Sequence, residues 1–73
     1  MEYGTMDATR VGSTLRQLRT ARGESVDDFA NAIGASVSAV SMYETGRRIP
    51  RDEIKIRIAD HYKTSVESIF FAK

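Results

Sequence analysis

Apolar residues recur along this chain at helical spacing, in short runs separated by glycine or proline. Val11, Leu15 and Leu18 stand at i, i+4 and i+7, one face of an amphipathic helix over Arg10 to Arg22. Gly23 ends it, because glycine enters the left-handed cap conformation without a Cβ penalty. Ser25 opens a second helix. Its hydroxyl suits a free backbone N–H, and Asp28 can return the bond as the acid of a capping box. Phe29, Ala30 and Ile33 form the apolar face, and Gly34 breaks the pattern. Ser36 caps a third helix, with Val40 and Tyr43 as its buried positions and Gly46 as its stop. After Pro50, Asp52 and Glu53 suit a helix start. Ile54, Ile56 and Ile58 alternate with Lys55 and Arg57, which is a strand pattern. Yet Ala59 and Tyr62 extend a 54–58–62 face at helical spacing, and no second strong strand exists to pair with, so the segment is read as helix. Ser65 caps a last short helix carrying Val66, Ile69 and Phe70. Residues 1–8 lack any such period and read as a flexible tail, which leaves one domain over 9–73.

A chain of 73 residues holds one domain at most. A domain this short hides only roughly 60% of the surface its unfolded chain exposes. At 41% hydrophobic and 29% charged it is nonetheless a folding sequence. The absence of cysteine excludes a disulfide framework and a thiolate metal site. His61, the single histidine, cannot build a zinc site alone and reads as a helix-surface residue beside Tyr62. No spacing suggests a nucleophile with its base, so an enzyme is discounted, and neither a cofactor nor a small-molecule ligand is implied. The N-terminus lacks the apolar run of a secretory signal, and no segment approaches the roughly 20 apolar residues that span a bilayer. A soluble cytoplasmic protein with no membrane partner is expected. The net charge of +1 says little about partners, but its placement says more. Arg10, Arg16, Arg19 and Arg22 sit in the first third, and Arg47, Arg48 and Arg51 follow the middle. Glu24, Asp27, Asp28, Asp52 and Glu53 gather where helices begin, at the positive ends of their dipoles.

The segment Val26 to Thr45 thus reads as two helices joined by a short turn containing glycine, the helix-turn-helix pattern. Ala30 is small where the two helices cross, and Gly34 sits in the turn, where a positive φ is wanted. Together with Leu15-Arg-Gln-Leu-Arg19, Gly23, Ile33-Gly34 and Ser41-x-Tyr43-Glu44-x-Gly46, this segment resembles the Cro/C1-type (Xre-like) helix-turn-helix family. Ile58-Ala59 and Ser65 to Phe70 look like that family's closing helices. The resemblance implies an all-α five-helix bundle of the lambda-repressor-like type, double-stranded DNA as partner, and usually a homodimer. The short length is similar to the small Cro-like regulators of phages and mobile elements; an antitoxin or restriction-control setting would be a variant of the same role. One position departs. Where the family often has a glutamine that touches phosphate and braces the recognition helix, this chain has Val26, which has no donor.

Successive helical residues turn by about 100°, which points Val40, Tyr43 and Glu44 inward and Ser38, Ser41, Met42 and Thr45 outward, with Val37 at the edge. The base-reading positions implied by the resemblance are Val37, Ser38, Ser41 and Met42. That face has no Arg, Asn, Gln or Lys for a bidentate base contact, so Val37 and Met42 are expected to pack on thymine methyl groups. The serines equally fit a solvated helix surface, and Met42 a protein contact. Thr45, Arg47, Arg48 and Arg51 surround the following loop and are expected on phosphates, as are the capping residues Ser25 and Ser36 with the helix N-termini behind them. The resemblance gives Arg19 and Glu44 a structural role, an ion pair between the first helix and the end of the recognition helix. Ile69, Phe70 and Phe71 are consecutive and cannot all face inward. Phe70 is expected in the core and Phe71 outside, as an anchor for a second copy with Ile56 or Tyr62 beside it, or else as a frayed end. Two roles remain: a regulator reading DNA, probed by Arg47 and Arg48, and an alternative protein-interaction module that kept the fold and lost DNA binding. The near-neutral charge, Val26 and the apolar Val37 and Met42 favour the second.

Overall fold

Side-chain caps start four of the five helices found among the described residues, 7–71, of the computed structural model. Asp7 accepts from the backbone N–H groups of Thr9 (3.1 Å) and Arg10 (3.2 Å) and begins α1, Ala8–Ala21. The expected tail therefore ends early: Asp7 is a cap and Ala8 is helical, while residues 1–6 lie outside the described part. Ser25 accepts from Asp28 N–H at 3.0 Å and Ser25 N–H donates back to the Asp28 carboxylate at 3.4 Å, a capping box that opens α2, Val26–Ile33. Ser36 accepts from Ala39 N–H (3.0 Å) and starts α3, Val37–Glu44. Ser65 does the same for α5, Val66–Phe70, through Ser68 N–H at 3.1 Å. Helix α4, Asp52–His61, has no side-chain cap; Asp52 and Glu53 in its first turn face the positive end of its dipole instead.

The alternating isoleucines thus lie on a helix. Ile58 is fully buried, Ile54 half-buried, and Ile56, off that face, is 62% exposed. Helix α1 packs on α3, α2 on both α3 and α4, and α5 closes the bundle against α4 and α1. Leu15, Phe29, Ile33, Val40, Ile58 and Phe70 are wholly enclosed between them, with Ile69 beside Phe70. A fully buried side chain of this kind contributes about 1.5–3 kcal/mol.

Two glycines decide how α3 is mounted. Gly34 has φ 71° and turns the chain from α2 toward α3 within three residues, Gly34 to Ser36. Gly12 lets α1 lie against the main chain of α3: a Cβ there would stand 2.5 Å from the Glu44 carbonyl oxygen and 2.6 Å from that of Tyr43. Neither carbonyl can retreat without moving the end of α3.

Candidate nucleic-acid interface

Helix α3 is divided lengthwise. Val40, Tyr43 and Glu44 are buried, while Val37 (47% exposed), Ser38, Ser41 and Thr45 face solvent and Met42 is half-buried. The hydroxyls of Ser38 and Ser41 make no side-chain hydrogen bond among the described residues, whereas the Thr45 hydroxyl donates to the Ser41 carbonyl at 2.9 Å. Past the helix the chain folds back on its end. Arg47 N–H and Arg48 N–H both donate to the Met42 carbonyl, at 2.9 and 3.3 Å, and Gly46 supplies the positive φ of 78° needed there. The loop is pinned at its far side by the buried Pro50. Arg47, Arg48 and Arg51 are exposed and have no ion-pair partner among the described residues. Three exposed guanidinium groups, without an ion pair among the described residues, thus follow the bare face of α3 along the chain.

The rear of α3 is held by charge. Arg19 Nε donates to Glu44 Oε2 at 2.7 Å and Arg19 Nη2 to Glu44 Oε1 at 3.1 Å, a two-point pair between α1 and the last residue of α3. Arg19 Nη1 also donates to the Glu24 carbonyl at 2.9 Å. The hydrogen bonds to Glu44 raise the Arg19 pKa, so the guanidinium stays charged. Both residues are spent on structure and leave the outer face to other groups.

Three side chains need a different account from the sequence expectation. His61 is half-buried rather than simply solvated: its Nε2 lies 2.5 Å from Glu24 Oε2, and its ring stacks on Phe29 with centroids 6.0 Å apart. Tyr62 is not free to flank Phe71, because it is buried and its hydroxyl donates to Glu24 Oε1 at 2.6 Å. The cause is that α4 ends against the turn between α1 and α2, where Glu24 receives both groups. Burial first, then the hydrogen bond to Glu24, pushes the Tyr62 phenol well above its ordinary range. Arg57, not singled out by any local pattern, donates from Nη1 to the Ile33 carbonyl (3.3 Å) and from Nη2 to Glu53 (3.0 Å). It thereby satisfies a carbonyl at the end of α2 and lies over the turn at Gly34, where a Cβ would come within 2.9 Å of it.

Ile56 and Phe71 come together on another side of the molecule. With Asp52, Lys55 and Val66 they line one shallow groove. Phe71 is 43% exposed, and the Lys55 ammonium lies 5.7 Å from its ring and 3.3 Å from the Asp52 carboxylate.

The bundle, the turn at Gly34 and the bared α3 define a helix-turn-helix domain. Comparison with known families agrees: the helix-turn-helix domain family matches residues 10–69, and the chain belongs to this family, in its Cro/C1-type (Xre-like) form. It is 40% identical over 63 residues to an HTH-type transcriptional regulatory protein of Methanoregula boonei, a match that takes in 85% of this chain but only 20% of that protein. The chain thus spans a fifth of the length of that relative. Among solved structures it is similar to the restriction-modification controller protein C.AhdI of Aeromonas hydrophila, with a TM-score of 0.81 at 30% identity over 88% of this chain and 97% of the other. It is also similar to the P22 c2 repressor protein, solved in complex with a synthetic operator, with a TM-score of 0.82 at 17% identity over 86% of this chain and 96% of that one. The second likeness is one of fold.

Proposed function

We propose that this chain is a sequence-specific double-stranded DNA-binding transcriptional regulator, a repressor of phage or mobile-element type, that inserts α3 into the major groove. The observation that carries the reading is the face of α3 itself. Val37, Ser38, Ser41 and Met42 form one strip, and Arg47, Arg48 and Arg51, unpaired among the described residues, follow it in the chain. A helix presents such a strip to base edges while basic loops fix its register on phosphates. Ser36 accepts a backbone N–H and keeps its own O–H to donate to a phosphate. Ser25 has the same chemistry but sits beside the carboxylates of Asp27 and Asp28, which repel an anion. Thr45 reaches a phosphate only by giving up its bond to Ser41. The groove at Ile56 and Phe71 is the contact for a second copy, so that two half-sites are read together.

The test is selection of bound duplexes from random DNA, followed by titration at several salt concentrations. The expected product is a pseudo-palindrome with half-sites about one helical turn apart, roughly 34–36 Å, bound with an affinity that falls steeply with salt. If no sequence is enriched over bulk DNA, the regulator reading fails. The exposed Val37 then favours the alternative, a protein-interaction module on the same fold.

A further inference from the structure

The outward face of α3 is unusual in what it can distinguish. Val37 and Ser41 lie one turn apart, as do Ser38 and Met42, so two apolar groups and two hydroxyls occupy opposite corners of a single patch. No guanidinium, ammonium or carboxamide is on it; the first arginine, Arg47, follows Gly46 in the loop. Val37 stands in the first turn of α3, the end that this motif directs at base edges, and is its most exposed apolar residue.

A serine hydroxyl donates and accepts, so it meets the O4 acceptor of thymine or the N4 donor of cytosine by rotating. Alone it hardly discriminates. An apolar side chain discriminates through one feature of the groove, the methyl group on pyrimidine C5. Resting on the DNA-binding reading above, we propose that the operator preference of this chain is a preference for C5-methyl groups, read by Val37 and Met42. On this patch 5-methylcytosine is an acceptable substitute for thymine, because the neighbouring serines adapt to the exchanged polar edge where an Asn or Gln fork would reject it. Affinity for a site carrying cytosine at these positions therefore rises with cytosine C5 methylation.

The experiment uses the full chain and the duplex that it enriches from random DNA. Each thymine is replaced in turn by deoxyuridine, which lacks only the methyl, and then by cytosine and by 5-methylcytosine opposite guanine. At the positions under Val37 and Met42 uridine is expected to weaken binding about fourfold, the effect of uncovering one buried carbon. 5-Methylcytosine is expected to bind about fourfold more tightly than cytosine there, for the same reason. Val37→Ala and Met42→Ala each abolish the methyl dependence at their own position, whereas Arg47→Ala weakens binding and keeps it. A specific operator indifferent to every uridine substitution overturns the proposal and leaves DNA binding standing. Failure to enrich any operator overturns both.

Discussion

Met42 and Arg47 are close in sequence, yet they answer to different parts of a duplex. Arg47 and Arg48 are cations without an ion pair among the described residues, on a loop pinned to the end of α3, so Arg47→Ala or Arg48→Ala is expected to weaken binding to all sequences alike and to reduce the salt slope by about 1. Met42→Ala is expected to act at one base position by about 1 kcal/mol or more. Titration of the operator and its single-base variants at several salt concentrations separates the two; a uniform loss from Met42→Ala contradicts the assignment. Tyr62 gives a pH dependence. Its folded pKa is raised above the ordinary 10.0, so the stability it contributes is present below that value and lost as pH rises past it, where the unfolded chain gives up the proton first. Urea denaturation of Tyr62→Phe between about pH 9 and 11 is therefore expected to show a shallower alkaline decline than the wild type. The division of α3 into buried and bare faces was legible from angular spacing alone. The partners of Glu24 were not, because they are 37 and 38 positions away and only the packing of α4 brings them there.

Helix boundaries were the most readable feature, since serines open α2, α3 and α5 and glycines close α1, α2 and α3 with positive φ. Helix α4 was the hardest. Over five residues, Ile54 to Ile58, a period of two and a helical period both fit, and the decision comes from Ala59 and Tyr62, which extend the helical face, and from the lack of a second strong strand to pair with. Its end is also unmarked: Lys63 takes φ 56° where a glycine would signal the stop. Lys63→Gly is expected to stabilise the domain by up to about 1 kcal/mol, because the left-handed backbone costs a side-chain-bearing residue more than glycine. A thermal melt would show a rise of a few degrees, within the roughly 4–8 °C per kcal/mol of a domain this size. Between elements, the Arg19–Glu44 pair joins α1 to α3. Arg19→Met strands the buried carboxylate and is expected to cost about 3 kcal/mol, the low end for such pairs, because Arg16 Nε remains 3.6 Å from Glu44. Adding Glu44→Met should recover most of that loss. If the double variant is no more stable than the single one, the cost lies in lost packing and not in the unpaired charge.

At the scale of the whole molecule the reading face and the groove at Phe71 serve separate tasks. Phe71→Asp places a charge at the groove without touching the core and is expected to abolish self-association and joint occupancy of two half-sites while leaving the melting temperature nearly unchanged. Sedimentation with and without operator DNA measures it; unchanged association places the contact elsewhere. Helical geometry sufficed to sort Phe70 from Phe71, but which groups flank Phe71 depended on where α4 turned, and it turned Tyr62 toward Glu24. The close approach at Gly12 has an evolutionary consequence. Main-chain packing at Gly12 and the Arg19–Glu44 pair locate the C-terminal end of α3 against α1, so the outward quartet of α3, of which only Met42 is half-buried, carries little of the folding free energy. Those four positions are free to drift together, and a descendant of this chain can acquire a new operator by exchanging them while position 12 stays invariant.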